Sequence, residues 1–413
     1  VLIEVPRGPV SYGDPFSIYG RLGCPAPQDA ANKPISIYER TAGSPGFALA
    51  GTTTSEATGS YSFTPQPFST NSTFFVLAEG ARSAHRTIRV SPLVSLATPT
   101  EGAKLLSAIG RARTSVVFAG TVNPVTPGMR GAVVALQRED SSGNEEWHRI
   151  GDRGTVRADG TYSIAHVFRI PGVANLRIVV HPRDRFNAPA ASSPMSYVIS
   201  QPQNPLLTID TTNDPLTYGE STSITGEVFQ ASDNTAVTLL ARNRGGHFAP
   251  VAAGHTEGSR YSFTQAPLEN TVYKVVSGTR SSSLLIEGVR YGISLTPPAT
   301  TLTTGQPVTL TGTVTGAQAP HNVYLERKGP GAVGFHVIDI APLSAPDPTT
   351  HVSTYTLTHA FRGAGEGEIR MKVPGDPGHL GKATPPVKIT VTRSAASLLT
   401  PELPSRLPGE GQL

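Results

Sequence analysis

The sequence predicts an all-β protein, a tandem array of four small antiparallel β-sandwich domains, and three observations carry that reading. Helix formers are sparse among the 413 residues while 37 prolines punctuate the chain, and proline breaks a helix interior. The candidate strands are short, rich in Val, Thr, Ile and Tyr, and bounded by Gly, Pro, Asn and Ser, the pattern of half-buried strands between turns. The third observation is a text that returns four times with a period near one hundred residues. That period is too long for a solenoid unit and matches a whole small domain.

The repeat begins with a short apolar strand at residues 2–5, 93–96, 206–209 and 293–295. A strand ending in glycine follows, at 12–20, 113–120, 218–226 and 304–312. Its alternation, as in Phe16 and Ile18 or Val308 and Leu310, predicts one buried and one wet face. Gly20, Gly120, Gly226 and Gly312 then mark a turn, a bulge or a close backbone approach. Next comes a strand ending in arginine: Arg40, Arg138, Arg242 and Arg327. Ile35 with Ile37, and Val237 with Leu239, share its inner face, but residues 322–325 break the parity and leave the inward face of the fourth copy unassigned. A Gly-rich turn leads to one aromatic, Phe47, Trp147, Phe248 or Phe335. The three phenylalanine siblings predict that Trp147, the only tryptophan, is a core or inter-strand plug and not a sugar-stacking platform. The Tyr strand (Tyr61, Tyr162, Tyr261, Tyr355) and a final hairpin bring the count to about seven strands per copy, the arithmetic of a two-sheet sandwich. Boundaries are expected at 1–92, 93–203, 204–290 and 291–393. Short junctions, two of the three containing proline, predict a semi-rigid rod of roughly 130–170 Å, from domains about 35 Å across.

In this order the text resembles the bacterial immunoglobulin-like repeat domains of actinobacterial and other surface proteins. The matching pieces are Tyr-Gly-x-x-x-x-Ile-x-Gly at 12–20 and 218–226, Val-Thr-Leu-Leu-Ala-Arg at 237–242, and Gly-x-Tyr-Ser-Phe at 59–63 with a partial match at 258–263. The likeness spans residues 1–393 and is weakest in the second and fourth copies. It implies an extracellular stalk, adhesin or envelope component and no shared active site.

Composition narrows the function classes further. The net charge of +4 and pI near 9.2 hold no run of five or more Lys/Arg, which argues against nucleic-acid binding. No apolar stretch of about eighteen residues exists to span a membrane. The single cysteine, Cys24, forbids an intrachain disulfide and reads as a small residue near a turn. A start at Val1 suits a trimmed, secreted product. Residues 375–382 imitate a phosphate-binding loop, but the spacing fails and Ala383 stands where Ser or Thr should hold magnesium; they read as a turn. His148, His166 and His181 are scattered over separate elements, and Asp210 with Asp214 is too sparse for a calcium site. Glu145 and Glu146 read as a solvated turn, and Asn71-Ser-Thr73 as a formal glycosylation triplet on a surface. No catalytic, cofactor or metal residue is assigned, and no cofactor is expected.

The expected function is therefore a non-enzymatic extracellular structural protein that self-associates into, or coats, a bacterial surface filament or layer. Its partners would be copies of itself or other cell-envelope components. The alternatives are a carbohydrate- or host-binding adhesin, an accessory module of a secreted enzyme with a glycan partner, or a phage decoration protein. Residues 394–413 leave the repeat as a Pro/Leu-rich tail, and Leu398, Leu399, Leu403 and Leu407 are its assembly anchors. They would add a strand to an edge of a neighbouring copy.

Overall fold

The computed structural model describes residues 1–6, 8–24, 27–66, 68–108, 115–140, 146–316, 321–332 and 334–393. Among them the chain is strand and turn throughout; the one helical piece is a single 3-10 turn, Pro27–Ala30.

Each copy builds the same two facing sheets. The smaller sheet has three antiparallel strands: Leu2–Glu4, Ile18–Arg21 and Ser60–Phe63 in copy one; Leu93–Val94, Val116–Asn123 and Thr161–His166 in copy two. Copies three and four repeat it with Asp210–Thr211, Thr222–Glu227 and Arg260–Gln265, then Gly292–Ile293, Pro307–Thr315 and Val352–Ala360. The larger sheet centres on the Arg strand, paired on one side with the aromatic-bearing edge strand and on the other with the first arm of the final hairpin. The opening segment of each copy then crosses over and pairs parallel with the last strand: inside the larger sheet in copies two and four, as Thr301–Thr303 does with Val387–Thr392, and as a separate two-stranded ladder in copies one and three, as Val10–Ser11 does with Val90–Ser91. A parallel pair cannot be made by a tight turn, so this crossing closes each copy from its first residues to its last.

Burial follows the alternation. Each copy has its own core cluster, spanning Ile3 to Ile88, Val94 to Ile199, Leu207 to Leu285 and Tyr291 to Val391, and a fifth, small cluster lies between copies. Cys24 packs half-buried against the first of these. In every copy the edge strand bulges against the Arg strand, opposite the steps Ile37/Tyr38, Ala135/Leu136, Leu239/Leu240 and, one residue nearer the Arg, Leu325/Glu326.

The repeated glycine and tyrosine form one device. Gly20 pairs across the ladder with Tyr61, Gly120 with Tyr162, Gly226 with Tyr261 and Gly312 with Tyr355. Each buried Tyr lays its ring over the glycine and donates its hydroxyl to a carbonyl of the first strand: Leu2 (2.6 Å), Ser95 (2.5 Å), Thr208 (2.5 Å) and Ser294 (2.6 Å). A methyl on any of the four glycines would overlap that carbonyl and that hydroxyl. None of the four has a positive φ, so close approach, and not turn geometry, demands glycine here. Burial drives the phenol of each Tyr well above its ordinary pKa.

Two expectations are corrected. Trp147 and its three Phe siblings are half-buried on the outer face of the larger sheet, each beneath a cation, and lie outside the core. Arg177 sits 4.2 Å from the Trp147 ring, Arg40 4.9 Å from Phe47, Arg242 5.0 Å from Phe248 and Arg370 4.1 Å from Phe335. The cation–π attraction and the shared need to shield an edge strand explain an aromatic there without burial in the core. The array is also not an extended rod. Copy four folds back so that its Arg327 and His336 reach Asp14 of copy one (3.1 and 2.6 Å), while its Lys372 reaches Glu101 of copy two (3.1 Å). Short stiff junctions set the angle between neighbours, and here that angle brings distant copies together.

Candidate functional site

The side chains with chemical potential collect at the junctions between copies, and the junctions obey a rule of two. Copy one meets copy two through Asn71. Its backbone N–H donates to the Phe186 carbonyl (2.6 Å) and its side-chain amide to that of Arg185 (2.8 Å), while its Oδ1 accepts from the Val90 N–H (2.8 Å). Copy three meets copy four through Asn270 in the same way. Asn270 N–H donates to Gly378 (2.6 Å), its side-chain amide to Pro377 (3.3 Å), and its Oδ1 accepts from Val289 N–H (2.8 Å). The receiving loops correspond as well. Asp184 caps one by accepting from Phe186 N–H, Asp376 the other from Gly378 N–H. Asn187 and His379 each bond the carbonyl two residues before the Asn, Ser69 (2.6 Å) and Leu268 (2.9 Å). Ala188 and Leu380 then donate to the carbonyls of Val90 and Val289. The two receiving loops are thus equivalent, and the chain reads as an odd–even pair laid down twice.

This geometry places several residues singled out in the sequence. Asn71 of the glycosylation triplet spends both ends of its amide on the junction. Residues 375–382 form a turn, as expected, and that turn is the face copy three binds. Within it Asp376 accepts from Tyr291 (2.5 Å) and from the His379 N–H (2.7 Å), and the His379 ring stacks on Tyr291 at 4.6 Å. Burial would raise the Asp376 carboxyl, yet these bonds and the neighbouring His379 and His321 hold it at about 2.

Copy four is the hub. Lys372 is fully buried, donating to Glu101 (3.1 Å) and to the Pro194 carbonyl of copy two (2.6 Å). Glu326, also fully buried, pairs with Arg370 at 2.6 Å. Burial pushes its carboxyl up, but Lys372 and Arg370 outweigh that and hold it low. Asn175 donates to the Gly375 carbonyl (2.6 Å), Gly381 N–H to Ser196 (3.0 Å), and Ser17 of copy one to the Arg362 carbonyl (2.8 Å). A small apolar cluster, Val198, Ile286 and Leu380, joins copies two, three and four at one point. Copies two and three also meet through Lys104 and Asp214 (3.2 Å), beside a fully buried Glu287. Asp214 therefore pairs with Lys104 and stands beside Glu287, while Asp210 is exposed on its strand.

Of the scattered histidines, His148 alone joins acidic groups, Asp140 and Glu146, on the surface of a hairpin, with ligand atoms within 4.8 Å of one another. His166 packs on Phe168 instead. Glu145 and the tail residues Leu398, Leu399, Leu403 and Leu407 lie outside the described residues. A cleft of about 680 Å³ opens between copies three and four, lined by Tyr218, Asn243, Leu268, Glu269, His351 and His379. No helix among the described residues is long and apolar enough to cross a membrane.

No protein-family model matches the sequence, and no curated protein matches it. Solved structures resemble it loosely. A tetra-tandem repeat in the extending region of a large adhesion protein is 17% identical over 92% of this chain and 98% of its own, with a TM-score of 0.24. Native Escherichia coli alpha-2-macroglobulin is 11% identical over 95% of this chain, which spans 33% of that protein, at a TM-score of 0.23. The fibronectin(III)-like modules of Clostridium thermocellum CbhA are 13% identical over 48% of this chain and 93% of theirs, at a TM-score of 0.20. Likeness at this level transfers no activity.

Proposed function

We propose that the chain is a non-enzymatic structural or adhesive module of the cell exterior, a block of four immunoglobulin-like domains with boundaries near residues 92, 203 and 290. The carrying observation is where the reactive side chains go. Lys372, Glu326, Arg327 and His379 are buried and Asp376 is half-buried, and each is held by an ion pair or a hydrogen bond at or beside a junction between copies. Groups consumed in this way fix relative orientation and are not free to turn over a substrate. Its partners are further copies of itself or other envelope components, and residues 394–413 supply the link between blocks.

Small-angle scattering on the full chain tests the block. A compact body of this length has a radius of gyration of about 22 Å, whereas four domains end to end, roughly 130–170 Å long, give about 40–50 Å. A value near the larger figure would sink the reading. Deleting residues 394–413 tests the link: folded monomers replacing assemblies support it, and unchanged assembly, or a full chain that is monomeric at high concentration, removes it.

A further inference from the structure

Where copies two and three meet, the charges do not balance. Glu287 ends the strand Leu285–Glu287 with its side chain fully buried, and neither carboxyl oxygen has a hydrogen-bond partner. Asp214 stands beside it, only 7% exposed, accepting from Gly288 N–H (3.2 Å) and paired with Lys104 of copy two at 3.2 Å. The other polar groups facing Glu287 are the Thr211 hydroxyl and the Tyr273 phenol, the latter neutral because burial raises it to about 12. From copy two the group that reaches this site is Lys104, through Asp214; Val198 packs on the neighbouring Ile286, on the opposite face of the strand. Two carboxyls therefore face one ammonium, and a buried unpaired carboxylate is costly enough that such a group keeps its proton instead.

We propose that Glu287 is a proton-operated latch on the junction of copies two and three. Protonated, it lies neutral beside the Asp214–Lys104 pair and the junction stays closed. When its O–H bond breaks and the proton passes to water, a second carboxylate is left against Asp214, and the junction opens to hydrate it. The inference goes beyond the proposed scaffold role: it makes the rigidity of the block depend on the pH outside the cell.

Burial first, then Asp214, lifts the Glu287 carboxyl to about 8, while Lys104 pulls it down. In the open junction it returns to the ordinary range, about 4.3. The closed form thus holds a proton that the open form gives up. Closure is complete below that ordinary value and weakens as pH rises, by about tenfold in the opening constant per pH unit, levelling above about 8.

Amide hydrogen exchange of the full chain reads this directly, corrected for intrinsic rate, at Gly288 and at Leu216, whose N–H donates to the Gly288 carbonyl (2.8 Å). From about pH 5 to about pH 8 the opening constant in the wild type should rise about tenfold per unit; in Glu287→Gln it should stay flat. Equal slopes in both proteins, or a flat wild type, overturn the proposal. Lys104→Met supplies a second arm that leaves Glu287 in place. Loss of that cation should leave the onset of the rise in place and move its levelling point to higher pH, and an unmoved levelling point means that copy two is not coupled to the proton. Calcium chloride at about pH 9 is the last arm. Reclosure of the wild type but not of Glu287→Gln would make the carboxyl pair a metal site and overturn the proton reading; no effect of calcium supports it.

Discussion

Replacing Asn71 by alanine removes two side-chain hydrogen bonds at the first junction and leaves the Val90 N–H, on a buried residue, without its acceptor. A stranded buried donor costs about 1–3 kcal/mol, and the lost bond to the Arg185 carbonyl about 0.5–1.5 kcal/mol more. The expected destabilisation is about 2–4 kcal/mol for Asn71→Ala, and the same for Asn270→Ala, because the second junction repeats the first bond for bond. The two sites share no partner, so the double variant should lose about the sum, within about 0.5 kcal/mol. Urea unfolding monitored separately for the two pairs, together with scattering, checks this. Asn71→Asp sharpens the test: it keeps the acceptor for Val90 but sets a carboxylate against the Arg185 carbonyl, so the junction should loosen with the Val90 bond intact. A cost below about 0.5 kcal/mol for either alanine variant would refute the junction argument. So would a large cost at Asn71 with none at Asn270, since the duplication would then be one of shape alone.

Three further outcomes are expected. Tyr355→Phe leaves the Ser294 carbonyl unpaired and should cost about 1–3 kcal/mol; Gly312→Ala, which forces the ring off its seat, should cost more, both read from thermal melting of the fourth copy. Lys372→Met removes the cation that donates to both Glu101 and the Pro194 carbonyl, and should destabilise by about 3–5 kcal/mol, with scattering showing copies two and four apart. The Asp376 carboxyl is depressed in the folded state. Its contribution is therefore present above the ordinary Asp range, about 3.9, and is lost as pH falls toward about 2. An acid titration, read by exchange at the junction of copies three and four, should show that loss in the wild type and not in Asp376→Asn.

The sandwiches were legible because they rest on local rules. Alternation in Phe16 and Ile18 named the inner face, and the Gly–Tyr spacing recurred because one ring fills one gap in every copy. The junctions were harder, since hydrogen bonds between residues 71 and 186 leave no periodicity. Two signals were nevertheless present. The likeness of copies one and three, and its weakness in two and four, was the mark of an odd–even pair. The broken parity at 322–325 was the mark of a strand covered on both sides: Val323 and Leu325 enter the core, while Tyr324 and Glu326 are buried on the opposite face. Trp147 misled because four aromatics at one position were equated with a core position, when the shared requirement was a cation overhead. The fold-back of copy four onto Asp14 had no sequence mark at all, because a single Asp in a turn is commonplace.

The doubled junction also limits how such a chain can change in length. Asn71 and Asn270 recognise the same kind of loop, so the partner copy one requires is present in copy four as well as in copy two. A recombination that excised copies two and three together would join compatible ends and keep every bond of the seam. Loss of one copy alone would set two faces of the same sort against each other. Growth and shrinkage of this lineage should therefore proceed by even numbers, with the pair as the heritable unit.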